Sequence, residues 1–161
     1  FVLTVVSFAQ TDVSGTISSN TTWTVSGSPY TITANTVIMD GVTLTIDAGV
    51  TVLFSQDVYL RALSGATLIA RGTEADSIYF TVTNTSTVTN TEGIEFASGA
   101  VGSTVQNDST YISGSVFDYC VFRDFITTGQ GGVISNGTTP LLYKNCSFLN
   151  KYFLFSLESL Q

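Results

Sequence analysis

The chain has 161 residues, a formal net charge of −7, 43% hydrophobic residues and only 11% charged ones, against roughly 25% charged in an average globular protein. Its five basic residues, Arg61, Arg71, Arg123, Lys144 and Lys151, are too few and too scattered for a nucleic-acid surface. Histidine is absent, which removes the commonest general base, the usual zinc ligand and every Ser-His or Cys-His nucleophile pair. Thr, Ser, Gly and Asn take the place of charge, a mixture that suits strands and turns and disfavours helix. Little or no α-helix is expected, in one domain with a sizeable core.

In chain order, the first segment is FVLTVVSFAQ. Its apolar run ending Ser-Phe-Ala reads as the tail of a secretory signal. It also reads as a retained strand, since Phe1, Leu3 and Val5 alternate with Val2, Thr4 and Val6. Either way it is shorter than the ~20 apolar residues of a membrane span. Residues 1–9 are therefore set apart from a single domain over 10–161.

Within that domain the chain repeats itself. Thr-Leu-Thr-Ile at 43–46 returns as Thr-Leu-Ile-Ala at 67–70, with Leu44 and Leu68 24 apart. Phe54 and Phe80 are 26 apart, as are Phe122 and Phe148, and two residues before them stand Val52, Ile78, Cys120 and Cys146. Apolar-x-Phe is the period-2 pattern of a strand with one face inward. A recurrence of this length marks a solenoid, whose coils stack at the strand spacing of ~4.8 Å.

Two inner ladders follow: Val52/Ile78/Cys120/Cys146 and Phe54/Phe80/Phe122/Phe148, with Leu53, Tyr79, Val121 and Ser147 facing out. Residues 35–40, 57–62, 92–97 and 131–136 stack as another side. Asp40-Gly41, Asp47-Ala48-Gly49, Ser64-Gly65 and Gly131-Gly132 mark turns. Surplus length near 81–92 and 97–115 reads as insertions. The competing architecture is a β-sandwich, whose strands recur every 8–12 residues without such identity.

The chemistry-bearing residues are sparse. Asp118, Arg123 and Asp124 share a coil, and 26 residues on from Asp118 lies Lys144. They read as a catalytic cluster or as a cross-rung ion pair worth under ~1 kcal/mol. Asp40, Asp47 and Asp57 sit beside turns whose backbone their side chains can bond. The threonine run at 81–91 reads as a polar loop or edge rather than an ice-binding array, because neighbouring coils lack Thr-x-Thr in register. Cys120 and Cys146 occupy one ladder position, as a disulfide or as stacked thiols. Asn20, Asn84, Asn107, Asn136 and Asn145 begin glycosylation sequons. The chain closes on KYFLFSLESL, where Phe153, Phe155 and Leu157 match the apolar opening.

GATLIARGTEADSIYFT resembles the opening coils of secreted right-handed parallel β-helix proteins of the pectate-lyase-like superfamily. GGVISNGTTPLLYKNCSFLNKYF resembles the repeat of polymorphic outer-membrane and autotransporter-like surface proteins, in which a Gly-Gly-x-Ile strand precedes an Asn-Cys-x-Phe strand. The resemblance covers roughly residues 35–81 and 117–153. It implies an all-β, right-handed parallel β-helix of about five coils, secreted or held at the cell surface. That architecture hosts lyases, hydrolases, adhesins and fibres alike. No catalytic motif of the family is present to carry over, so no catalytic, cofactor-binding or metal residue is assigned and no cofactor is expected.

The expected function is a structural surface protein, a subunit of an extracellular filament. A carbohydrate-binding adhesin and a polysaccharide lyase or hydrolase are the alternatives. The expected partners are further copies of the chain, meeting through Phe1, Leu3, Val5, Phe153, Phe155 and Leu157, together with glycans; neither nucleic acid nor a membrane span is expected.

Overall fold

The structure, a computed structural model, describes residues 10–108, 110–125, 134–136, 139–149 and 156–157. Its strands are β1 (Thr11–Ile17), β2 (Thr21–Trp23), β3 (Tyr30–Ile38), β4 (Thr43–Ile46), β5 (Thr51–Phe54), β6 (Tyr59–Ala62), β7 (Thr67–Arg71), β8 (Ile78–Val82), β9 (Gly93–Phe96), β10 (Thr104–Val105), β11 (Tyr111–Ser113), β12 (Val116–Asp118), β13 (Cys120–Arg123), β14 (Ile134–Asn136), β15 (Leu142–Lys144), β16 (Ser147–Leu149) and β17 (Ser156–Leu157). The one helical element among the described residues is a 3-10 turn at Val25–Gly27.

Three parallel faces wrap one interior. The first stacks the opening halves of β1 and β3 with β5, β8, β13 and β16. On the second, the closing halves of β1 and β3 stack with β6, β9, β14 and β17. The third face is β2, β4, β7, β12 and β15. Each coil visits the faces in that order, so the chain is a parallel β-helix. The described strands make five coils and two sides of a sixth. A sandwich is ruled out, because the antiparallel pairing among the described residues is confined to β10 and β11.

The corners explain why the chain turns where it does. Between the second and third faces run Met39-Asp40-Gly41-Val42, Leu63-Ser64-Gly65-Ala66 and Ala97-Ser98-Gly99-Ala100. In each, the last N–H donates to the first carbonyl, at 3.1, 3.0 and 3.0 Å. The glycines have φ of 70°, 76° and 83°, the left-handed region that the missing Cβ leaves open to glycine. Val42, Ala66 and Ala100 then turn inward and are buried.

Alternation along each strand fills the interior. In β4, β5 and β6 every second residue is buried. One column holds Tyr30, Val52, Phe80, Phe122 and Phe148. Phe80 and Phe122 stack at 4.9 Å between centroids, and Phe122 and Phe148 at 5.0 Å, the spacing of the strands that carry them. Each buried Phe stabilises the column by about 1.5–3 kcal/mol.

One expected ladder needs correction. Phe54 does not lie over Phe80; Val52 pairs with Phe80, and Phe54 with Val82. Phe54 packs instead against Phe125, 5.3 Å away. Likewise Val52 is not under Ile78, whose partner on the next coil is Cys120. The cause is corner length, since residues 47–50 join β4 to β5 whereas the longer 72–77 joins β7 to β8. The slip is two residues, an even number, so inward residues stay inward. From β8 onward the Phe80, Phe122 and Phe148 ladder stands as expected.

Candidate functional site

Outward side chains of the third face form the most elaborate surface feature. Arg71, Asp118 and Lys144 occupy one register position on β7, β12 and β15, so cation, anion and cation succeed one another along the axis. Above this column sits the hairpin of β10 and β11, on the segment 97–115 between the second and third faces. Its Tyr111 ring lies 5.2 Å from the Arg71 guanidinium carbon, a cation–π contact, and its hydroxyl donates to the Gly114 carbonyl at 2.7 Å. Burial holds the Tyr111 hydroxyl above its usual range, while Arg71 pulls the other way.

Val116 projects from the outer side of β12 beside Ile69, yet is only 1% exposed. At the hairpin base, Ser103 ties the insertion to the wall. Its hydroxyl donates to the Ser115 carbonyl and accepts from the Leu142 N–H at 2.7 Å. Inside, the buried Ser115 hydroxyl accepts from the Leu68 N–H at 3.1 Å, across the point where the insertion rejoins the ladder.

The residues read as a catalytic cluster are parted by β13. Tyr119 alone, at φ 48°, separates β12 from β13. Asp118 therefore ends its strand of the third face, while Arg123 ends β13 on the first and Asp124 lies just past it. Asp118 and Lys144 are in register, but Asp118 Oδ1 accepts from Asn145 Nδ2 at 3.0 Å rather than closing the expected ion pair. The ion pairs among the described residues are Arg61–Glu95 at 2.5 Å and Arg123–Asp124 at 3.5 Å. Asp124 also accepts from the Thr81 hydroxyl at 3.0 Å. Among the described residues, no three of His, Cys, Asp and Glu converge as metal ligands.

Asp57, read as bonding turn backbone, bonds neighbouring side chains instead. Its oxygens accept from Asn90 Nδ2 at 2.7 Å and Gln56 Nε2 at 3.0 Å. Gln56 in turn accepts from the Thr89 N–H at 2.7 Å. The threonine-rich loop 83–92 is thus strapped to the corner between β5 and β6. Hydrogen bonds from Asn90, then Gln56, hold the Asp57 carboxyl below its ordinary 3.8. A carboxyl lowered in the folded state contributes fully above its unfolded value and loses that contribution as pH falls through the folded one. Protection of 83–92, read as amide exchange relative to the intrinsic rate at each pH, should therefore weaken as pH falls below the ordinary 3.8, and Asp57→Asn should remove that dependence.

The remaining candidates are placed as follows. Phe1, Leu3, Val5, Phe153 and Phe155 lie outside the described residues. Leu157 is in β17, paired through its backbone with Asn136 of β14. Asn20, Asn84, Asn107 and Asn145 are exposed, whereas the side chain of Asn136 is outside the described residues. Asn20 Oδ1 accepts from the Thr43 N–H and Asn84 Oδ1 from the Ser86 N–H. Cys120 and Cys146 are free thiols, the first buried and the second half-buried.

Sequence reasoning missed the first coil, Phe117 and Phe125. Gly15-Thr16-Ile17 lies under Thr36-Val37-Ile38, a likeness legible in the sequence. Phe117, stacked on Tyr143 at 5.5 Å, was hidden because a single corner residue fuses its strand to the next.

Among the described residues no helix is long and apolar enough to cross a membrane. Comparison with curated proteins and with solved structures gave no match. A family model, described as a pectate-lyase-like β-helix domain, matches residues 15–115. That stretch runs from the first coil through the hairpin and is more than half of the chain, which therefore belongs to the pectate-lyase-like β-helix domain family.

Proposed function

We propose that this protein is a structural component of the cell surface or extracellular space, and that copies of it associate by adding strands to the first rung. The observation that carries this reading is the one-sided pairing of β1 and β2, which among the described residues bond only to β3 and β4. Thr11 N–H donates to the Pro29 carbonyl, and the Ile17 carbonyl accepts from Met39 N–H. In a parallel ladder the intervening Asp12 and Thr16 then direct their N–H and C=O groups to the unpaired edge.

Val13 and Ile17 are half-buried against the core, with no rung beneath them among the described residues. Such an edge accepts another chain through backbone bonds, with side-chain pockets setting specificity. Contact between unlike ends is heterologous and propagates unless rotation closes it. Low charge and exposed sequon asparagines suit an extracellular setting, where glycans are the other expected partner.

Electron microscopy and sedimentation at rising concentration test the proposal. Rods that lengthen with concentration are expected from the native sequence. Asp12→Pro with Thr16→Pro should abolish them with the far-UV spectrum unchanged, because the lost N–H groups face the edge and not β3. A chain that stays monomeric when concentrated, or a double variant that assembles like the native one, overturns it.

A further inference from the structure

We propose that Cys120 and Cys146 form a redox pair that closes, on oxidation, into a disulfide joining the fifth coil to the sixth. This goes beyond strand addition at the first rung and concerns the opposite end of the described column, so either reading can fail without the other.

Geometry carries it. β13 and β16 run parallel with Val121 opposite Ser147, so the residues just before them are neighbours on successive rungs. Each cysteine follows a residue in the left-handed region, Tyr119 at φ 48° and Asn145 at φ 51°. Two equivalent corners thus deliver the two thiols to the same inward position. Adjacent strands lie ~4.8 Å apart, inside the ~4.4–6.8 Å Cα window of a disulfide. Both thiols are free, and Cys146 Sγ reaches the Phe117 carbonyl on the coil of Cys120, at 3.4 Å.

The pair is asymmetric, and that sets the order of events. Cys120 is 0% exposed, with its Sγ 3.5 Å from the carbonyls of Ala70 and Asp118. Burial holds its thiol far above the usual range. Cys146 is half-buried, with its Sγ 3.2 Å from the Lys144 carbonyl. Hydrogen bonding to Cys120 favours the Cys146 thiolate, the form that attacks.

The oxidant is a small disulfide such as oxidised glutathione. The Cys146 thiolate attacks one of its sulfurs, the small S–S bond breaks, and one small thiolate leaves. Cys120 then gives up its proton and attacks Cys146 Sγ, expelling the second small thiolate. Two protein thiols are oxidised to one disulfide, and one small disulfide is reduced to two thiols.

The test treats the folded protein with oxidised glutathione and reads intact mass and digested peptides. The native sequence should form no disulfide between chains, lose the mass of two hydrogens and yield a peptide linked through Cys120 and Cys146. Cys120→Ser should retain one glutathione on Cys146, and Cys146→Ser should give no adduct. If Cys120→Ser fails to fold, iodoacetamide labelling of the native sequence decides, with Cys146 expected to react at least tenfold faster and its alkylation to block closure. The proposal is overturned by a native chain that ends with one stable glutathione, no reaction, or a disulfide-linked dimer. Closure only after denaturation, or faster labelling of Cys120, overturns it equally.

Discussion

Replacing Phe122 with alanine is expected to lower stability by about 3–5 kcal/mol, the range for an aromatic deleted from a core that cannot collapse around the cavity. Phe122 is 0% exposed and stacks face to face on both Phe80 and Phe148, with Phe117 edge-on at 5.5 Å. Its loss would break the aromatic column between the fourth and sixth coils. Against a net stability of about 5–15 kcal/mol for a domain, that is a large fraction. Urea unfolding measures it, with Val121→Ala, one residue along and facing outward, as the control expected to shift the midpoint far less. Equal shifts for the two variants would mean that the inward register of β13 is wrong.

Gly114→Ala should be the most damaging change outside the interior. Its φ is 89°, and an added Cβ would run into the carbonyl oxygen of Gly102, a backbone atom with little room to move. Left-handed backbone alone costs about 1–2 kcal/mol for an alanine, and the collision adds to it. Gly41→Ala is the comparison, since it carries the same kind of φ, 70°, with no atom within 4 Å of the new Cβ. The expected result is a loss from Gly114→Ala at least twice that from Gly41→Ala, with faster amide exchange at Val116 as the hairpin lifts from the wall. Matching losses would show that the hairpin base tolerates the collision.

How much of this was legible depended on where the information was local. The corner sequences Asp40-Gly41, Ser64-Gly65 and Asp47-Ala48-Gly49 name their turns directly, because only glycine enters the left-handed region freely. Leu44 over Leu68 and Phe122 over Phe148 were legible because the corners that lead into the two strands of each pair keep the same offset. Phe54 over Phe80 was misread because register depends on the length of 72–77 relative to 47–50, and the spacing of two phenylalanines does not reveal it. Asp118 and Arg123, five apart in sequence, looked like one site until the single-residue corner at Tyr119 placed them at different ends of β13. The Arg71, Tyr111 and Lys144 grouping depends on how an insertion folds back, a long-range event with no periodic signature.

The positions of the basic residues have a consequence for survival among proteases. Arg61, Arg71, Arg123 and Lys144 each lie within or at the end of a paired strand, and each arginine rests against a tyrosine ring, Tyr59, Tyr111 or Tyr79. Enzymes that cut after Arg and Lys need several residues in extended, unpaired form. Among the described residues every such bond is withheld until a rung opens, so resistance to trypsin-like cleavage comes from the same ladder bonds that hold the coils in register.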